Sequence, residues 1–489
     1  MPVQSPDKNV NWWLPIWQRC RDADAGQDAV KRRGVRYLPS PPAMQDDAVY
    51  GFYLDSATFF GATGRTLRGL TGTLFRRPPI IPVLNPRFTE RMSNFDQQGT
   101  DILRFSQQVG REQILIGHHG VLVGKADGGP EQIPYATSWA AEQILGIQDD
   151  VGPDGQRRIR QVRLHDAIPQ IDPQDEFQVA YRGRVQVYDI DADGLLIKRV
   201  FLELPRENQT LERYREEESL REFPTRNGER LDFVPFYLFQ AGDHPSSEIQ
   251  TPPMLDLVNE NMAHYRASAS YERARHRLSD PTLAIFDDAT KRDVDKGNTQ
   301  AIRLGGDKAI VLGSAGKMEI AGTDPQSLIA LRDPLNMRRE NMALLGSRLL
   351  EAPRKLVEAT ETHMLRASGE NATLVDIASA HEKGMTQVLQ WMLWWAGESP
   401  EFVAEQHFVM EKDFVPVGLD PNVLRELVSA WQNGAISHET LLFNMKKGEA
   451  LRPDKTVEQE LDAVRNGNPP PSGENRSITT GEEGVTDGN

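Results

Sequence analysis

The chain has 489 residues, 38% of them apolar and 26% charged, with a net charge of -15 and a single cysteine. That length suits about two to four domains, and the apolar fraction lies below the ~45–50% of a typical globular chain, so the molecule reads as extended or as meeting other polar surfaces. The charge argues against non-specific coating of nucleic acid, one cysteine excludes a disulfide framework within the chain, and no run approaches the ~18 uninterrupted apolar residues of a membrane span.

The opening stretch, "MPVQSPDKNVNWWLPIW", lacks the basic start and apolar core of a signal peptide. Trp12, Trp13 and Trp17 come early, and "YLPSPPAM" (37–44) reads as a rigid extended link. In "FFGATGRTLRGLTGTLFRRPP" (59–79), glycines at 61, 64, 69 and 72 are costly in a lone helix, ~1 kcal/mol each. They make sense if another backbone comes close, and Pro78-Pro79 stops the segment.

"DILRFSQQVGREQILIGHHGVLVGK" (101–125) predicts a helix and then a strand, as the spacing of Ile102, Phe105, Val109 and Ile114 gives way to "GVLVG". From 157 to 240 the pattern has period two, in "RRIRQVRLHD", "FQVAYRGRVQVYDI", "GLLIKRVFLEL" and "LDFVPFYLFQ". Turn signals separate the runs, so the region predicts one antiparallel β module.

"MLDLVNENMAHYRASASYERARHR" (254–277) predicts one long helix without a broad apolar face. Leu255, Val258, Met262 and Tyr265 form only a narrow stripe, flanked by small residues and arginines. A β-rich insertion follows. Asp324-Pro325 and Asp333-Pro334 then each resemble an N-cap with proline at the first helical position. Pro353 ends the second long helix, and a third is predicted from about Thr360 to Ala396, with "VLQWMLWWAG" as its buried part. Helical signals continue from 421 to 465, and the tail from 466 has almost no apolar residues, predicting disorder.

Chemical motifs are weak. "DIDADG" has Asp189, Asp191 and Asp193 in the first half of a calcium-loop pattern, but the twelfth position is Val200, and a hairpin turn fits better. A metal-dependent hydrolase built on these aspartates is a remote alternative. "GVLVGKA" (120–126) mimics a phosphate loop with the wrong spacing and no hydroxyl residue after Lys125. His118 and His119 are adjacent on a predicted strand and point to opposite faces. The expectation is a protein that is not an enzyme and needs no cofactor.

The order of parts is more informative than any motif. "TGRTLRGLTGTLFRRPP", "REQILIGHHGVLV", "PPMLDLVNENMAHYRASASYERARH", "EATETHMLRASGENATLVDIASAHEKGMTQVL" and "LVSAWQNGAISHETLLFNMKKGEAL", in this order over residues 60–450, resemble the portal proteins of tailed bacteriophages. The resemblance implies an α+β, portal-like fold: long stem helices, an antiparallel β wing module and a small β-containing clip insertion. It implies a wing at 1–251, stem helices at 252–278 and 323–350, a clip at 279–322, a tunnel loop at 351–360, a wing spine helix at 361–418, a short crown-like helical region at 419–465 and a disordered tail at 466–489.

The function implied is a ring, with about twelve copies of the chain, at the capsid vertex of the virion, assembled in the host cytoplasm. It would be the channel for packaging and ejection of double-stranded DNA. Its other partners would be the major capsid and scaffolding proteins, the large terminase and the head-to-tail adaptor, with no membrane involved. A neck or tail ring without a packaging role is the alternative. Mapped onto this sequence, Arg354, Lys355, Thr360 and Thr362 fall in the tunnel loop and DNA channel. Leu255, Val258, Met262, Tyr265, Arg266 and Arg273 fall at the stem interface between subunits. Asp287, Asp288, Lys291 and Arg292 fall in the clip that docks motor and adaptor.

Overall fold

The computed structural model describes residues 2–41, 47–81, 88, 92–126, 133–152, 155, 157–172, 175–205, 213–244, 246–279, 282–286, 317–321, 325–346, 360–412, 414, 421–447, 450–451 and 457–466. Two compact units emerge, Met1–Lys412 and Asp413–Asn489.

The first unit opens with helices α1 (Lys8–Ala25), α2 (Gln27–Arg32), α3 (Asp47–Ser56), α4 (Ala62–Leu74) and α5 (Ile102–Leu115). Asp101 caps α5 by accepting from the Arg104 backbone N–H. Of the glycines in α4, Gly64 meets the expectation of a close backbone: a Cβ there would lie 2.9 Å from the Asp24 carbonyl oxygen in α1. Gly61 and Gly72 face open space.

Strands β1 (His118–Ala126) and β2 (Ile133–Ala140) follow, then a meander of β3 (Ile144–Val151), β4 (Arg157–Asp172), β5 (Asp175–Ile190), β6 (Leu196–Glu203) and β7 (Tyr214–Glu216). These last five form an antiparallel sheet in sequence order. A short hairpin, β8 (Thr225–Arg226) with β9 (Glu229–Arg230), precedes β10 (Phe236–Gln240). Here the sequence reading needs correction. "LDFVPFYLFQ" does not close the 157–240 module; β10 leaves it and pairs with β1, giving a separate three-stranded sheet of order β10-β1-β2. The alternation could not show this, because edge and central positions share the same period-two pattern.

Helix α6 (Leu255–Ser279) leads to β11 (Thr282–Phe286), which pairs with β12 (Lys317–Ala321), and the chain returns as α7 (Pro325–Leu344). Asp333-Pro334 does not start a helix, since α7 runs through Pro334. The N–H that proline lacks would have met the Ala330 carbonyl, and Ala330 is exposed, so water can serve that oxygen.

Helix α8 (Thr360–Trp395) covers the three-stranded sheet, with Met385, Val388, Leu389, Met392 and Leu393 fully buried. Gly384 sets how closely it lies: a Cβ there would collide with the rings of Phe239 and Tyr237 on β10. A short helix α9 (Pro400–Ala404) ends this unit. The second unit holds three further helices, α10 (Pro421–Gln432), α11 (His438–Lys447) and α12 (Val457–Asn466), with Trp431 stacked on His438 at 5.0 Å. Residues 467–489, expected to be disordered, lie outside the described residues. Among the described residues no helix is long and apolar enough to cross a membrane.

Gly384→Ala improves helix propensity by ~1 kcal/mol but overpacks the α8–β10 contact, which costs ~1–3 kcal/mol. The expected result is a net fall in the thermal unfolding midpoint, read by circular dichroism. An unchanged or raised midpoint would show that α8 is free to lift.

A helical hairpin and a sealed polar core

Helix α6 is anchored through its first half. Leu257, Val258, Met262, Tyr265 and Ala269 are buried, and so are the polar residues Asn261, His264 and Ser268 between them. The helix packs on α1, α3, α4 and α7. Asn261 fixes it: its Oδ1 accepts from the Thr63 backbone N–H and hydroxyl at 3.2 and 3.0 Å, and its Nδ2 donates to the Phe60 carbonyl at 2.6 Å. Ser268 Oγ accepts from the Thr58 N–H at 3.1 Å. Tyr265 lies edge-on to Phe59 with ring centroids 6.1 Å apart. The buried face is thus broad, but half of it is polar and matched to the backbone of residues 58–63.

This corrects the stem-interface expectation. Val258, Met262 and Tyr265 are fully buried in the chain's own core and leave no surface for another subunit. Leu255 is half-buried. Arg266 donates through Nε to the Tyr37 carbonyl at 3.0 Å, and the Arg273 guanidinium lies 6.0 Å from the Tyr53 ring centroid, so both serve the N-terminal helices of the same chain.

Helix α7 runs antiparallel to α6. Glu260, near the start of α6, pairs with Arg338 at 3.1 Å and accepts from Asn341 at 3.2 Å, both late in α7. The β11–β12 ribbon begins where α6 ends, with Thr282 opposite Ala321. Only Leu335 and Met342 of the α7 side chains described are fully inside. Ile329, Met337 and Leu344 are 53%, 54% and 53% exposed, and Leu345 just beyond the helix is exposed too. Sequence reasoning missed these four residues, although their spacing along one side of the helix was available to it.

The clip residues Asp287, Asp288, Lys291 and Arg292 and the tunnel-loop residues Arg354 and Lys355 lie outside the described residues, as do the side chains of Thr360 and Thr362.

A second constellation lies between α5, α8 and the three-stranded sheet. Gln113 Nε2 donates to the Gln240 carbonyl at 2.8 Å, so its Oε1 is free to accept from His381 Nδ1–H at 2.5 Å. His381 Nε2 then accepts the Ser106 hydroxyl at 2.7 Å. A serine, a histidine and an orienting group in this order resemble a nucleophile and its base. All three side chains are fully buried, however, and Gln113 carries no charge to stabilise an imidazolium. The arrangement joins α8 to α5 and has no access for a substrate.

Burial holds His381 neutral, with its pKa pushed down to about 3. The same cause lowers His118 to about 3 and His119 to about 4. His118 stacks on Trp17 at 5.5 Å, and His119 shares a hydrogen bond with Ser138 at 2.8 Å. Beside them Arg21 bridges Glu112 at 2.8 Å and Glu142 at 2.6 Å. Burial opposes ionisation of Glu112, but the bond from Arg21 outweighs it and holds the carboxyl below its usual value.

The remaining motifs are structural. "GVLVGKA" is the body of β1, and Lys125 donates to the Thr225 carbonyl at 2.9 Å. Asp191 turns the β5–β6 hairpin, accepting from the Asp193 and Leu195 N–H groups at 3.0 Å, and meets Arg230 at 2.7 Å; Asp189 meets Arg199 at 3.1 Å. Among the described residues no group of three or more His, Cys, Asp or Glu could hold a metal ion. Cys20 is buried, which pushes its thiol up to about 12.

Residues 253–396, the segment from α6 through α8, match a family described as a domain of unknown function (DUF4055). No curated protein matches the chain. Among solved structures, one titled as the neck of an empty gene transfer agent (GTA) particle with C6 symmetry aligns with 77% of this chain and 86% of its own, at 13% identity and a TM-score of 0.40. The neck of the native GTA particle with C12 symmetry aligns over 78% and 89% at 11% identity and 0.40. The virion of the native particle aligns over 88% and 99% at 12% identity and 0.40. Likeness at this level does not establish a common fold.

The histidine core makes stability depend on pH. In the unfolded chain each imidazole titrates near ~6.5, whereas in the folded chain His118, His119 and His381 stay neutral to about 3 or 4. Below that unfolded value the unfolded state binds protons the folded state excludes, so stability is full above it and falls as pH drops. The urea midpoint should therefore decline from roughly pH 6.5 to 5, before most carboxylates titrate. His381→Gln should flatten that slope by about one proton. An identical slope in the variant would mean that His381 is charged in the folded chain.

Proposed function

We propose that the chain is the subunit of a closed homo-oligomeric ring, a portal-like connector of a tailed-phage-like particle, with double-stranded DNA passing through its centre. The observation that carries this reading is the exposed side of α7. A helix that buries only Leu335 and Met342 while exposing Ile329, Met337 and Leu344 lacks cover from its own chain. Exposed apolar surface of this kind marks an interaction site. Another copy of the same hairpin is the simplest neighbour that supplies it.

In that reading α6 and α7 are the stem, and the ribbon of β11 and β12 begins the clip that meets the packaging motor and the tail adaptor. The N-terminal helices and both sheets form the wing against capsid and scaffolding proteins. In a closed ring each subunit offers two different patches to its two neighbours. The contact surface therefore pairs the outer side of α7 with the adjoining stem, and the apolar stripe of α6 is spent on holding the wing. Residues 351–360 join the stem to α8 and would line the channel. Arg354 and Lys355 would form basic rings that touch phosphates without reading sequence, and the net charge of -15 would keep the passage from gripping DNA elsewhere.

Two measurements test this. Mass photometry and negative-stain imaging of the purified protein should give closed rings, with twelvefold class averages expected. Met337→Asp with Leu344→Asp removes two apolar contacts of ~1.5–3 kcal/mol each, which lowers subunit affinity at least about tenfold per contact and should leave monomers with unchanged circular dichroism. A wild type that stays monomeric at micromolar concentration sinks the reading. Arg354→Glu with Lys355→Glu should leave rings intact and impair packaging or retention of DNA. Normal packaging by that variant would reduce the proposal to a neck ring without a channel role for these residues.

A further inference from the structure

The β4–β5 hairpin outruns its sheet. β3 pairs with β4 only up to Leu164, and β6 pairs with β5 only from Arg184 onward. Beyond those points β4 and β5 pair with each other, through Pro169 opposite Tyr181 to Ile171 opposite Val179, with no third strand among the described residues. At ~3.4 Å per residue this two-stranded arm reaches on the order of 30 Å. Two strands without a third are marginal in water.

The side chains of the arm sharpen the problem. Positions 177, 179, 181, 183, 185 and 187 share one face of β5. Val185 and Val187 lie in the sheet's core with Leu145 and Tyr214. Gly183 lets the Tyr214 hydroxyl close that core, since a Cβ there would collide with it. Outward from Gly183 the same apolar alternation continues as Tyr181, Val179 and Phe177, which are 70%, 47% and 89% exposed. The core face of the sheet thus carries on past the sheet's own edge.

Charge divides along the same hairpin. The sequence places Asp172, Asp175 and Glu176 at its tip, and Arg157 and Arg160 at its root. Both arginines are exposed, as is Val151, which lies opposite Arg157 at the end of β3. Tip and root each combine apolar surface with charge, of opposite sign. The two ends of one hairpin cannot meet in one chain, but the tip of one copy can meet the root of the next. That is the head-to-tail geometry that builds a ring.

We infer that the arm Pro169–Tyr181 docks on the β3–β4 root of a neighbouring copy of this chain, acidic tip against Arg157 and Arg160, as a contact between wings separate from the one along α7. The inference rests on the ring reading for its geometry, and the docking itself can be tested apart from ring closure. The opposite charges set the register and speed encounter, while Phe177, Val179 and Tyr181 supply the buried area.

The test is cross-linking of the full chain carrying Asp175→Cys and Arg160→Cys with a short bismaleimide. Buried Cys20 stays out of the reaction. The double variant should give a ladder of covalent multimers beyond the dimer, while either single variant gives none. Adding Val179→Asp and Tyr181→Asp should abolish the ladder while circular dichroism stays unchanged. Arg157→Glu with Arg160→Glu should lower the assembled fraction in a chain without the added cysteines, and Asp175→Lys with Glu176→Lys in the same chain should restore it. Rings of full mass that give no ladder overturn the inference and leave the ring standing. A ladder from particles that never close supports the docking and removes the ring. An arm that becomes protected from hydrogen exchange only when a different protein is added also overturns it.

Discussion

The structure depends on how one sparsely apolar helix is held. Asn261 sits at the centre of α6, buried, with its carbonyl oxygen taking two donors from Thr63 and its amide feeding the Phe60 carbonyl. A buried amide left without these partners would cost ~1–3 kcal/mol. With them it locks α6 to the chain entering α4, in one register. Everything that follows in sequence, the β11–β12 ribbon and α7, leaves from the far end of this clamp. The position of α7 is then fixed by Glu260, one residue before Asn261, which receives Arg338 and Asn341. Two neighbouring residues of α6 thus hold the N-terminal helices with one side chain and the returning helix with the other.

That arrangement explains what the sequence could and could not show. Element order was legible because periodicity is local: α5, β1, α6 and α8 all fall where apolar spacing put them. The α+β class follows from the same signals. What α6 packs against was not legible, because half its buried face is Asn261, His264 and Ser268, which read as polar until their backbone partners are seen. The stem candidates Val258, Met262 and Tyr265 were correctly picked as the helix's apolar stripe and assigned to the wrong neighbour. β10 was assigned to the wrong sheet for a related reason: strand pairing is long-range, and Phe236–Gln240 meets His118–Leu122 across more than a hundred residues of sequence. Asp333-Pro334 misled because an N-cap motif cannot be told from an exposed proline inside a helix without knowing where the freed carbonyl points.

The buried polar groups and the exposed apolar groups point the same way. Inside, the donor order from Gln113 through His381 to Ser106 is closed, and Arg21 neutralises Glu112 and Glu142 with its own fork. Such networks specify one arrangement of helix on sheet when their members are matched. They also account for an apolar fraction of only 38% without invoking disorder, since polar side chains fill part of the core. Outside, the imbalance reverses. Apolar residues are concentrated where the chain's own cover ends, on the outer side of α7 and on the arm of β5.

These two places differ in mechanics. The α7 surface lies on a helix clamped by Glu260 and Arg338, so a partner meets a preformed shape and little ordering is required on binding. The arm is a two-stranded ribbon whose root is fixed by the sheet and whose far end has no third strand, so a partner also completes its fold. A rigid contact near a helical stem and a compliant one at a strand arm tolerate different errors. The first sets the angle between neighbouring copies, and the second can follow small departures from it. An assembly that must close on itself while its copies shift in use needs both kinds of contact, and this chain places them on separate elements joined through α6.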